Sequence, residues 1–313
     1  MAPAPLRREL NVLITGFGPF KSIEENPSWL AVKPLHDTAL DLGREPVLEK
    51  TGPSTFDTNP GSASATSQSN AVAKIQTLQI PVHYGSVLDL APRLHGSRPV
   101  CDSAEFWHDE RLDAEFGGKD GQSYPDGYPT KHPTSPDGEP GHYDVVIHVG
   151  VGKTGSLRCE TQAHKFGYNV PDANACLAPT VEGVIRDEND TSGMDEKHVS
   201  PDGKMRGFGC GYEAFKSTEA TPVNVSDLLR WLSERGAEPK AEVEQSLDPG
   251  RYLCDFIFYC SLCESQRSSA RGKGANVIFV HVPPAGKDLS IQRCREIIRA
   301  IAWYMAYQKL RSS

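Results

Sequence analysis

Three short apolar runs dominate the sequence: "NVLITGF" at Asn11–Phe17, "YDVVIHVGVG" at Tyr143–Gly152 and "NVIFVHVPP" at Asn276–Pro284. Each ends at glycine, phenylalanine or proline after a handful of β-favouring residues. That is the signature of a buried strand rather than of a helix. Between them stand helical patterns. "NPSWLAVKPL" places Pro27 in a first helical turn, with Trp29, Leu30 and Val32 on an apolar face. "TLQIPVHYG" reads as a strand entering a turn and "SVLDLAPRL" as a short helix. "AEVEQSL" alternates like a half-buried strand, and "RYLCDFIFYCSLCES" is apolar at helical spacing. Ser290–Leu310 puts Ile291, Cys294, Ile297, Ile298, Ile301 and Met305 on one stripe. Strands alternating with helices imply a layered α/β domain with helices on both faces of the sheet.

The 313 residues suffice for one large domain or two small ones. Three polar stretches, at about 49–70, 101–142 and 186–207, interrupt the alternation. They are rich in Ser, Thr, Gly, Pro and charge. Such segments cannot bury enough apolar surface to offset their ordering entropy. They read as surface insertions in a single domain spanning 1–313, and a mean hydropathy of −0.46 fits that much loop. A net charge of −8 without a basic stripe argues against nucleic acid and anionic membranes as partners. No apolar run approaches the roughly 18 residues of a membrane helix, and no signal-peptide pattern follows "MAPAPLRREL". The expected compartment is the cytoplasm, and the eight cysteines are expected as thiols.

Few residues then stand out as carriers of chemistry. "TGFGPF" (Thr15–Phe20) has a glycine-rich turn after a strand, but it lacks the third glycine of a dinucleotide fingerprint, and Pro19 occupies the position where a phosphate-binding helix would begin. Its glycines leave Phe17 and Phe20 near the strand ends, either as core or as walls of an apolar pocket. His281 lies at the end of an apolar strand, where a buried ring needs a hydrogen-bond partner; it is a core histidine or a general base. In "SLDPGRYLCDFIFYCSLCES", Asp248 reads as a helix N-cap. Cys254 then falls in the first turn or two, where the helix dipole favours a thiolate. Cys260 and Cys263 have C-x-x-C spacing but lie too far along the helix for a thioredoxin-like pair, and no second ligand pair completes a zinc site. A thiolate–histidine dyad needs a third group to orient the ring. Glu160, after the strongest strand, is one candidate among many.

Four motifs in order, "VLITGFGPF…NPSW", "IHVGVG…CETQAHKFGYN", "DPGRYLCDF" and "FVHVPPAGK", resemble the pyroglutamyl peptidase I family, cysteine peptidases that remove N-terminal pyroglutamate. The resemblance runs from about Asn11 to Leu310 and excludes the three polar stretches. It implies a three-layer α/β/α sandwich around a mixed, mostly parallel sheet. It also implies a triad of Cys254 as nucleophile, His281 as base and Glu160 as orienting acid, with Phe17 and Phe20 walling the lactam pocket. Substrates would be pyroglutamyl peptides, with neither metal nor cofactor required. The chain departs from the family pattern in places. Asp255 follows Cys254 where bacterial members usually carry Asn, Thr161-Gln162 replace the Arg-Val after the acid, and no arginine stands in "FGYNVPDANA". Two other readings remain at this level: a catalytically silent relative that binds peptides or proteins, and a thiol redox protein using Cys260 and Cys263.

Overall fold

The computed structural model describes residues 8–20, 23–48, 71–96, 143–181, 199–270 and 272–312. Its sheet has seven strands. In chain order they are β1 (Arg8–Phe17), β2 (Thr38–Asp41), β3 (Ala71–Ile80), β4 (Val145–Val151), β5 (Leu157–Glu160), β8 (Val243–Ser246) and β9 (Asn276–Val282). The remaining two, β6 (Gln162–His164) and β7 (Thr218–Ala220), form a separate antiparallel pair. Across the main sheet the order is β2-β3-β1-β4-β9-β5-β8. The central four are mutually parallel, β2 runs antiparallel to β3, and β5 runs antiparallel to β9. The apolar runs are thus the inner strands. Val145–Gly150 and Val277–Val282 are buried throughout, as strands covered on both faces must be.

Among the described residues five α-helices cover the sheet: α1 (Pro27–Val32), α2 (Tyr84–Leu94), α3 (Val225–Glu234), α4 (Leu253–Ser269) and α5 (Ile291–Ser312). Strand alternation assigns their sides. The face of β4 and β9 that carries Gly150 and Phe279 meets Cys254 and Phe258 of α4, and α2 packs on α4. On β1, Gly16 points the other way, into α1, and α5 packs on α1 and α3. The result is the expected three-layer α/β/α sandwich around a mixed, mostly parallel sheet. Helix α3 had no counterpart among the sequence expectations. Its Asn224 cap, which accepts from Asp227 N–H, is the local signal that marks its start. Trp231 of α3 stacks on Trp303 of α5 at 5.4 Å, and the Trp303 indole donates to the Asp41 carbonyl at 2.8 Å, joining this layer to the sheet edge.

The "TGFGPF" turn serves packing. A Cβ on Gly16 would stand 2.8 Å from Trp29 Cα and 2.9 Å from Trp29 N, so glycine is what lets α1 lie against β1. Asn26 caps α1 through Ser28 N–H and donates to the Gly18 carbonyl, while Ser28 Oγ accepts from Phe17 N–H. The start of α1 is occupied by its own side chains. The polar stretches 49–70 and 101–142, and the third up to residue 198, lie outside the described residues. Residues 199–207 are tied to the body: Gly207 N–H donates to Pro179 O, and Arg206 is buried and donates to the Ala178 carbonyl. The expectation of thiols throughout does not hold, because Cys210, in an exposed turn, is disulfide-bonded. Cys159, Cys176, Cys254, Cys260, Cys263 and Cys294 are free. No helix among the described residues is long and apolar enough to cross a membrane.

Gly16→Ala should destabilise the fold by about 1–3 kcal/mol, because the added methyl meets helix backbone rather than a flexible side chain. Equilibrium urea unfolding against the wild type measures this.

Candidate active site

The structure brings Cys254, His281 and Glu160 together on the α4 side of the sheet. His281 is the penultimate residue of β9 and pairs in register with Gly150 of β4 and with Arg158 of β5. Glu160 ends β5 and pairs with Phe279, so its side chain emerges on the same face, diagonal to His281. Its Oε1 lies 2.8 Å from His281 Nδ1. Both residues are buried, Glu160 completely. The carboxylate holds Nδ1, and Cys254 Sγ lies over Gly150, the residue that pairs with His281, close enough to the ring to raise its pKa.

Cys254 arrives from above. It is the second residue of α4, whose N-cap is Tyr252. Asp248, expected as the cap, instead closes an Asx turn by accepting from Gly250 N–H at 3.1 Å, and Gly250 takes φ 82°. The helix therefore begins later than expected and Cys254 sits nearer its start. No side chain caps this helix, unlike α1 and α3, so its first N–H groups stay directed at whatever occupies the space beside the thiol. Two glycines of β4 make the approach possible. A Cβ on Gly150 would stand 2.8 Å from both Cys254 Sγ and Phe279 Cζ, and one on Gly152 would stand 2.9 Å from His281 Cβ. "HVGVG" was read only as a strand; its glycines are the space into which the thiol and the imidazole fit.

The electrostatics separate this thiol from the others. Burial disfavours a charged His281, but the Cys254 thiolate and the Glu160 carboxylate outweigh it and raise the ring from 6.5 to about 9. Cys254 is part-exposed, whereas Cys260 and Cys263 have no exposed surface and burial pushes both thiols up. Cys260 meets the Tyr212 hydroxyl at 3.1 Å inside the core. Buried thiols with raised pKa have neither access nor thiolate for redox exchange.

Phe17 is buried at the end of β1, on the same face as Thr15, whose hydroxyl meets His148 Nδ1 at 2.8 Å. Phe20 is part-buried in the following turn and its ring lies 5.5 Å from that of Tyr252. Tyr252 in turn meets Tyr84 edge-on at 6.1 Å. Their hydroxyls reach a strap beyond β6: Tyr84 donates to Val170 O at 2.9 Å and Tyr252 to Pro171 O at 3.1 Å. Tyr84 N–H donates to the buried Asp172 carboxylate at 3.1 Å. An aromatic wall thus adjoins the thiol. Sequence reasoning missed Tyr84 and Tyr252, which lie in segments read as turn and helix; aromatic residues next to the nucleophile and next to a turn glycine were the available signal.

No protein-family model matches the chain. Among curated proteins, Pyroglutamyl-peptidase 1 of Homo sapiens is 25% identical over 291 residues, covering 93% of this chain and 87% of its own length. The Rattus norvegicus protein of the same name aligns to the same extent. The chain is similar in sequence to the pyroglutamyl-peptidase 1 proteins over most of its length. Among solved structures, pyroglutamyl peptidase I of Bacillus amyloliquefaciens superposes with a TM-score of 0.52 at 16% identity, covering 96% of this chain and 97% of that one. A mutant pyrrolidone carboxyl peptidase of Pyrococcus furiosus gives 0.50 at 17% identity, covering 96% and 100%. At these identities the likeness is one of fold.

Gly150→Ala is expected to push Cys254 from the imidazole, since Phe279 on its other side is buried. Iodoacetamide trapping of Cys254 should slow by about 100-fold, the scale set by a misplacement of about 1 Å. Mass spectrometry of the alkylated peptide follows it.

Proposed function

We propose that this chain is a cysteine exopeptidase that hydrolyses the amide bond after an N-terminal pyroglutamyl residue. The observation that carries the reading is the Glu160–His281 contact of 2.8 Å with Cys254 beside the same histidine, at an uncapped helix start. The similarity to pyroglutamyl-peptidase 1 supports the substrate class.

Pyroglutamate is a neutral lactam. A slot walled by Phe20, Tyr252 and Tyr84, with Phe17 from the end of β1 as a further wall, would offer it apolar contact and aromatic faces. A free N-terminal ammonium would lose its hydration there without a partner. The Cys254 thiolate attacks the carbonyl carbon that follows the ring. The N–H groups at the start of α4 hold the developing oxyanion. His281, as its cation, gives a proton to the departing amine as the C–N bond breaks, leaving a thioester on Cys254. The neutral ring then takes a proton from water, whose hydroxide adds to the thioester, and collapse frees pyroglutamate and the thiolate. Glu160 keeps the proton of Nδ1 in place so that Nε2 faces the reaction. Metal and cofactor have no step in this scheme.

Release of a fluorescent amine from a pyroglutamyl amide tests it. Cys254→Ala should lower kcat by about 10⁵-fold or more, while Cys260→Ala and Cys263→Ala keep activity; need of the latter pair with Cys254 dispensable would overturn the assignment. A wild-type chain that binds pyroglutamyl peptides without cleaving them would be the silent relative instead.

The pH profile gives a second test. His281 must be protonated to release the amine, and its folded value is raised to about 9. kcat/KM should therefore fall as pH rises through about 9. Glu160→Gln removes an anion that raises the ring, so this limb should move to lower pH, as read from kcat/KM across the alkaline range.

A further inference from the structure

His281 is not the only imidazole gripped by a buried carboxylate at this site. Asp255 follows Cys254 in α4 and has no exposed surface. Its Oδ1 accepts the backbone N–H of His164 at 2.9 Å, and its Oδ2 lies 2.9 Å from the ring Nδ1 of the same residue. Arg251 Nη1 approaches Oδ2 at 3.4 Å. His164 ends β6, the strand that continues the chain from Glu160, and its carbonyl accepts the Tyr168 hydroxyl. Asp255 is thus bonded twice to one residue, through main chain and side chain. Such a contact fixes both distance and orientation.

Its charge state fits the place. Burial raises the Asp255 carboxyl well above the usual carboxylate range; Arg251 opposes this, and Asp248 and Glu160 add to it. A lone carboxylate beside the Cys254 thiolate and near Glu160 would oppose both. Asp255 is not left alone: the His164 backbone N–H, the His164 ring and Arg251 all reach its oxygens, so the carboxyl is held as a tether rather than as an unpaired anion.

The tether joins two parts that must meet. Glu160 and His281 come from the sheet, whereas Cys254 comes from a helix whose first turn has no side-chain cap. We infer that His164 and Asp255 are positioning residues for the reaction: by bonding the first turn of α4 to the strand that follows Glu160, they set Cys254 against the His281–Glu160 pair. The inference takes its meaning from the triad proposed above and adds two residues to it.

Two readouts test it. His164→Leu keeps bulk and removes the ring nitrogen, whereas His164→Asn places an amide nitrogen close to where Nδ1 stands. Thermal unfolding first establishes that each variant is folded. His164→Leu should lower kcat on the pyroglutamyl amide by about 100-fold with KM unchanged, and should shift the pH profile of Cys254 alkylation by iodoacetamide. His164→Asn should restore most of both. Asp255→Leu also loses the bond from the His164 backbone N–H, so it should lower kcat at least as far as His164→Leu, and the double variant should be no worse than Asp255→Leu, because the ring–carboxyl interaction is lost in all three. A folded His164→Leu with wild-type kcat and an unmoved alkylation profile overturns the inference. So does a loss confined to KM, which would make His164 a substrate contact, and so does a loss equal in His164→Leu and His164→Asn. If the wild type cleaves no pyroglutamyl amide, the proposed function fails, while the alkylation profiles still decide for or against the tether.

Discussion

Helix α4 can deliver a thiol to the sheet only because β4 has no side chains where the two meet. Gly150 leaves the space that Cys254 Sγ and the Phe279 ring fill, and Gly152 leaves the space beside His281. Glycine inside a strand weakens it by the loss of packing and by entropy. Here the strand is central, paired on both sides by β1 and β9, so the sheet tolerates the loss. The same device operates on the opposite face, where Gly16 admits α1. Helix placement on both sides of the sheet thus rests on missing Cβ atoms, and the site's geometry follows from the first of these contacts.

Burial then sorts the ionisable groups. Cys159, Cys260, Cys263 and Cys294 are packed away, and burial raises their thiols. Cys254 is the part-exposed thiol with an imidazole beside it. Two imidazole–carboxylate pairs flank it, His281 with Glu160 and His164 with Asp255. In each, the cost of burying a carboxyl group is offset by a ring nitrogen at hydrogen-bond distance. A further imidazole, the fully buried His148, is held neutral: burial and the nearby His95 lower it to about 3. It bonds Thr15 inside the core and takes no part in the charge arrangement around the thiol.

Much of this was legible in the residues. The strands β1, β4 and β9, and the helices α4 and α5, follow from runs and stripes that report burial directly. Cys254 stood apart from Cys260 and Cys263 by its place near a helix start, and His281 by its place in an apolar strand. Other features lacked a local signal. β5, β6 and β7 are only three or four residues long, too short for any periodicity. Asp248 looks like a cap because it precedes proline and glycine, but the turn it closes spends the side chain on Gly250 before the helix begins. Tyr252 was read as one more helical residue, whereas its position outside the first turn exposes its ring to Phe20 and Tyr84.

Burial on both faces is a property that a run of residues carries within itself, so the order of apolar runs and amphipathic stripes was enough to establish a covered sheet with helices on either side. Which acid serves which imidazole is a different matter. Glu160 and His281 are 121 positions apart, and His164 and Asp255 are 91. Those pairings depend on the antiparallel register of β5 on β9 and on the height at which α4 rests on β4. Spacing along a chain carries no record of either, since both are fixed by how separate elements pack.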